Sequence, residues 1–71
     1  NTGKQMRDNL IQALQLKYKG DIAAANANIA IYMNNSVGIG EHPDIIAAID
    51  TQIEKAAHAQ EKLDYLDTIG Y

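Results

Sequence analysis

The sequence contains no cysteine, no tryptophan and no phenylalanine, and it has a single proline. Without cysteine, neither a disulfide framework nor a thiolate-bound zinc ion can stabilise the fold. The two histidines are too few for an all-histidine metal site, so we expect neither a metal nor a cofactor. A core without phenylalanine or tryptophan must be built from isoleucine, leucine, methionine and alanine, which suits closely packed helices. In 71 residues such a core is marginal, so we expect residues 1–71 to form one domain that needs a partner chain.

Long apolar runs are also absent, and this excludes two further classes of protein. No segment approaches the ~20 consecutive apolar residues that cross a bilayer. The stretch from Asn1 to Leu10 is polar and lacks the apolar centre of a secretory signal. We therefore expect no membrane association.

Charge is unevenly distributed along the chain, whose net charge is −3. Residues 1–20 carry four basic side chains and one acid, whereas the remainder carries eight acids and two lysines. A basic segment is one feature of nucleic-acid-associated proteins, and this is the alternative function that the sequence leaves open. The acidic remainder argues against nucleic acid as the partner, because phosphate binding needs a concentrated basic surface. The basic residues are Lys4, Arg7, Lys17 and Lys19.

Apolar residues recur every three or four positions on both sides of a central polar segment, and this spacing predicts two amphipathic helices over residues 4–34 and 43–68. Gly20 is the weak point of the first helix, because Lys19-Gly20-Asp21 could cap one helix and start another. The stripe keeps its phase across Gly20, which favours one continuous helix with this glycine exposed. The first stripe is Met6, Leu10, Leu14, Tyr18, Ile22, Ala25, Ile29 and Tyr32 or Met33, and the second is Ile46, Ile49, Ile53, Ala56, Gln60, Leu63 and Leu66.

The segment over residues 35–42 is predicted to be the turn between the two helices. Asn35 tolerates the left-handed conformation that ends many helices, and Pro43 suits the first position of the next one. Asp44 places negative charge at the positive end of that helix dipole. The Gly-rich run is not read as a phosphate loop, because no strand precedes it and acids follow it. The predicted structural turn comprises Asn35, Val37, Gly38, Ile39, Gly40, His42, Pro43 and Asp44.

Two helices of this length cannot enclose a core between them. The fold class is therefore predicted to be all-α, an antiparallel two-helix hairpin that dimerises into a four-helix bundle. Alanines in both helices indicate close approach, and we expect Asn28 to face solvent and Asn26 to pair across an interface. The predicted oligomer interface comprises Leu10, Leu14, Tyr18, Ile22, Ile49, Ile53, Ala56 and Leu63.

No pattern of residues indicates catalysis. Carboxylate-bridged metal sites in bundles use Glu-x-x-His, whereas Glu54 and His58 are four residues apart and Glu61 has no histidine at position 64. No nucleophile and base are paired in the sequence. We therefore predict a non-enzymatic, self-associating protein that acts by binding another protein.

The segment Asn-Ser-Val-Gly-Ile-Gly-Glu-His-Pro-Asp, residues 35–44, resembles a group of short uncharacterised proteins encoded by tailed phages, notably phages of marine cyanobacteria. The resemblance extends more loosely to Leu63, covers about half of the chain, and does not include the first 15 residues. It implies a viral or marine metagenomic origin, a cytoplasmic location in an infected bacterium, and a host or viral protein as partner. It transfers no catalytic residue.

Overall fold

The computed structural model describes residues 2–35 and 42–69, and both segments are helical. Helix α1 spans Thr2–Asn35 and helix α2 spans His42–Ile69. The two helices pack against each other along their length. Arg7 reaches Ile69 at one end, and Asn28 reaches Gln52 further along, so the helices run antiparallel. The prediction of an all-α helical hairpin is thereby confirmed, with helix ends within two residues of those expected.

The contact between the helices follows one row of side chains on each, which we call the seam. Its members recur at alternating steps of three and four residues, as in an antiparallel coiled coil. Within the described residues, only Ala25, Ala59 and Leu66 are buried, and the other members are half-buried. The seam consists of Ile11, Gln15, Tyr18, Ile22, Ala25, Ile29 and Tyr32 on α1, and Ile45, Ile49, Gln52, Ala56, Ala59, Leu63 and Leu66 on α2.

The seam departs from the apolar stripe predicted for the start of α1. Met6, Leu10 and Leu14 are exposed, while Ile11 and Gln15 lie in the seam. The physical reason is helical geometry, because each step of four residues advances about 40° around an α-helix with 3.6 residues per turn. The predicted stripe steps back from Tyr18 by four residues at a time, so Leu14, Leu10 and Met6 lie progressively further from the seam and closer to the outer surface. Ile46, Ile53 and Gln60 of the second stripe are likewise exposed, beside the seam of α2.

Helix α1 continues through Gly20, as predicted from the unbroken phase of its stripe. A Cβ atom built on Gly20 would meet nothing within 4 Å, so this glycine lies on the outer side of the helix. The prediction for the two asparagines is wrong in part. Asn28 is exposed, as predicted, but from the rim of the seam it also donates a hydrogen bond of 3.1 Å to Gln52 across the helices, whereas Asn26, expected to pair across an interface, is exposed.

The hairpin is slender, with extents of 59 × 16 × 11 Å and a Cα radius of gyration of 16.7 Å. A compact domain of this length has a radius of gyration of about 11 Å. The accessible surface is 5429 Å², whereas a compact protein of 7.8 kDa exposes about 4,400 Å². The single chain therefore leaves about 1,000 Å² more surface in water than a compact fold of its mass.

Candidate protein-interaction surface

The two broad sides of the hairpin carry different residues. One side, which we call the groove face, presents the row Arg7, Leu14, Asp21 and Asn28 of α1 beside the row Lys55, Lys62 and Ile69 of α2. The opposite side, the reverse face, presents Lys19, Asn26 and Met33 of α1 beside Ile46, Ile53 and Gln60 of α2. Both assignments follow from the position of each residue relative to the seam at 100° per residue.

An exposed apolar cluster extends from the groove face onto the outer sides of both helices, at the end of the hairpin where α1 begins and α2 ends. Large apolar side chains there have high exposed fractions, among them Leu10 at 59% and Tyr65 at 68%. Soluble monomers rarely leave large apolar clusters uncovered, so such a cluster indicates a binding surface. We call it the terminal patch, and it consists of Met6, Leu10, Leu14, Tyr65 and Ile69.

Two open grooves, of about 420 Å³ and 360 Å³, run across the terminal patch. They are continuous because Leu14, Leu66 and Ile69 line both of them. The lining runs from Gly3 to Tyr18 along α1, a distance of about 22 Å at 1.5 Å per residue. The patch is therefore long enough to accept one face of another helix.

Charged side chains of both signs surround the terminal patch. The Arg7 guanidinium donates a hydrogen bond of 3.1 Å to the Ile69 carbonyl. The Lys62 ammonium lies 5.8 Å from the centre of the Tyr18 ring, a favourable cation–π distance. Glu61 lines the same groove as Lys62. The surface thus has an apolar centre and a polar rim, which is the usual arrangement of a protein interface.

Further along the groove face lies a more polar groove of about 410 Å³. Small side chains, Ala24, Ala25 and Ala59, leave the space for it. Its polar lining mixes both signs and amides, so it is not a concentrated binding site for an anion or a cation. The polar lining residues are Asp21, Asn28, Gln52, Lys55, His58 and Lys62.

A smaller apolar cluster lies on the reverse face, near the opposite end of the hairpin. It comprises Met33, Ile46 and Ile53, whose exposed fractions are 60%, 67% and 51%. We call it the second patch. Because it lies on the other side of the seam, one flat surface cannot cover both patches.

The eight residues predicted as an oligomer interface divide among three places. Five of them lie in the seam, where they are half-buried between the two helices of one chain: Tyr18, Ile22, Ile49, Ala56 and Leu63. Leu10 and Leu14 lie in the terminal patch, and Ile53 lies in the second patch. Sequence reasoning did not include Tyr65 and Ile69, although their spacing from Lys62 by three and seven residues places them on one face of α2.

The predicted turn lies mostly outside the described residues. Val37, Gly38, Ile39 and Gly40 belong to residues 36–41, between the two described segments. Asn35 is the last residue of α1, and α2 begins at His42. Pro43 and Asp44 follow in the first turn of α2, where Asp44 is the acidic residue.

Three of the four basic residues in the first 20 positions, Arg7, Lys17 and Lys19, do not form a common surface. Arg7 binds the end of α2, and the Lys17 ammonium is 3.1 Å from the Asp21 carboxylate. Lys19 projects from the reverse face. In the segments that the structure describes, no three histidine, aspartate or glutamate side chains are grouped to bind a metal ion. Neither described helix is long and apolar enough to cross a membrane.

Comparison with family models, curated proteins and solved structures finds no significant match to this chain.

Proposed function

We propose that this chain is a non-enzymatic helical protein that associates with itself and acts by binding another protein. The observation that carries the proposal is the excess surface of about 1,000 Å² relative to a compact fold. Among the side chains described, ten large hydrophobic residues are exposed and three hydrophobic residues are buried. A hairpin with so small a core gains stability when another chain covers its apolar surface.

The resemblance of residues 35–44 to short proteins of tailed phages extends this proposal. In that setting the partner is a viral or host protein, and the chain acts as an assembly component of the virion or as a modulator of a host protein. The charge arrangement also supports a protein partner. Of the four basic residues in the first 20 positions, Arg7 and Lys17 make contacts within the chain, which argues against a dedicated phosphate-binding surface in this segment.

Light scattering coupled to size separation tests the self-association. At tens of micromolar we expect a mass of at least twice 7.8 kDa, with a helical circular dichroism spectrum. A folded monomer at that concentration contradicts the proposal. A monomer that binds DNA, with an affinity that falls steeply as salt increases, supports the nucleic-acid alternative instead.

A further inference from the structure

We infer that the occupant of the terminal patch is a second copy of this chain, held by a two-fold symmetric contact in which patch packs against patch. The inference rests on the proposed self-association and specifies the surface that performs it. It also excludes two other arrangements, contact through the second patch and contact between unlike patches.

The surface that the chain leaves uncovered is large enough for this occupant. A stable interface buries about 800 Å² on each partner, so one such contact covers most of the surface excess of about 1,000 Å² that the whole chain carries. The terminal patch brings five large apolar side chains together over two continuous grooves, whereas the second patch brings three. The larger and continuous surface is the one able to form the apolar centre of such an interface.

The symmetry of the contact follows from the mismatch between the two patches. A contact between the terminal patch of one copy and the second patch of another leaves a free patch of each kind, so addition continues into a ring or filament. It also sets five apolar side chains against three. A two-fold contact sets five against five and closes at two copies.

The charges at the rim are compatible with self-contact. In a two-fold interface, residue i of one copy meets residue j of the other, and the reverse contact occurs as well. The rim contains Lys62 together with Glu61, and beside them Arg7, which is hydrogen-bonded to Ile69 within the chain. Opposite charges can therefore face each other twice across the axis, whereas a rim of one sign would repel its own copy.

The test compares two substitutions at exposed isoleucine or leucine positions on opposite faces. Leu10 has an exposed fraction of 59% and Ile53 of 51%, and lysine is compatible with a helix at both positions. We expect Leu10→Lys to raise the dimer dissociation constant at least about 30-fold, because the symmetry brings two new charges into one apolar contact. We expect Ile53→Lys to change it less than about threefold. Sedimentation equilibrium measures both.

A second measurement does not depend on destabilising the dimer. Because the chain has no cysteine, Leu10→Cys and Ile53→Cys each introduce a unique thiol. With a short bis-maleimide crosslinker, we expect Leu10→Cys to give covalent dimers in high yield and Ile53→Cys to give few. Circular dichroism of both variants verifies that the helices are intact.

The outcomes separate this inference from the proposed function. If the unmodified chain dimerises, but Ile53→Lys dissociates it and only Ile53→Cys crosslinks, self-association stands and the assignment to the terminal patch is wrong. A mass that grows without limit as concentration rises shows contact between unlike patches and also overturns the inference. A folded monomer of the unmodified chain contradicts the proposed function itself.

Discussion

The Arg7 guanidinium donates a hydrogen bond of 3.1 Å to the main-chain carbonyl of Ile69, which lies 62 positions further along the chain. This carbonyl belongs to the last turn of α2, where no following helical turn supplies donors. The same end of the helix carries the negative pole of its dipole, so a cation there is favoured. One side chain thus joins the beginning of α1 to the end of α2.

Replacing Arg7 with methionine should lower the free energy of unfolding by about 0.5–1 kcal/mol, because the hydrogen bond and the charge at the helix end are both lost. Urea unfolding at a fixed protein concentration measures the change. Lys19→Met is the matched control, since it removes an exposed cation of α1 on the reverse face, and we expect almost no effect. If both variants lose the same free energy of unfolding, the change in net charge, rather than the contact between Arg7 and Ile69, determines the effect.

Gly20→Ala should raise the free energy of unfolding by about 1 kcal/mol, because alanine is the better helix former and its Cβ has open space. For a domain of this size the midpoint of thermal unfolding should rise by about 4–8 °C. Ala27→Gly, at another exposed position of α1, should cause a loss of similar size. A lower midpoint for Gly20→Ala would show that the helix is broken at this position.

Ala59→Leu should lower the free energy of unfolding by about 1–3 kcal/mol. Ala59 is only 4% exposed and borders the polar groove, so three additional carbon atoms either push the two helices apart or enter that groove and remove water from its amides and charges. Ala57→Leu, two residues away on the exposed side of α2, provides a control with the same chemical change, and we expect a change within about 0.5 kcal/mol. If Ala59→Leu stabilises the protein, the close approach of the helices at this position is wrong.

The hydrogen bond between Asn28 and Gln52 should set the register of the hairpin. We expect a double-mutant cycle with Asn28→Ala and Gln52→Ala to give a coupling energy of about 0.5–1 kcal/mol, since both amides lie at the rim rather than in a dry core. Asn26→Ala with Gln52→Ala is the control pair, and its effects should add. A coupling energy between Asn26 and Gln52 would instead show that Asn26 pairs across the interface, as the sequence analysis expected.

The sequence predicts the two helices, their approximate ends and the continuity through Gly20, because each of these depends on local spacing and helix propensity. It does not predict which of two overlapping stripes forms the seam. Leu10 and Ile11 are neighbours with similar hydrophobicity, and only contact with α2 decides that Ile11 turns inward. Asn26 and Asn28 are two positions apart and flank the seam on opposite sides, and for the same reason the sequence placed Asn26, rather than Asn28, across the interface. The terminal patch is a consequence of this choice. Spacing on α1 predicts a role in the oligomer interface for Leu10 and Leu14, but it could not show that Tyr65 and Ile69 of α2 lie beside them.

The smallest extent of the hairpin, 11 Å, is about the diameter of one helix with its side chains. A molecule one layer thick has two broad faces, here the groove face and the reverse face, with no surface residues in common. Substitutions of exposed residues on the reverse face can therefore leave the groove face unchanged, provided that the seam residues are retained. A rounder protein of equal mass, with much of its chain in an interior, has fewer positions that can change in this independent way.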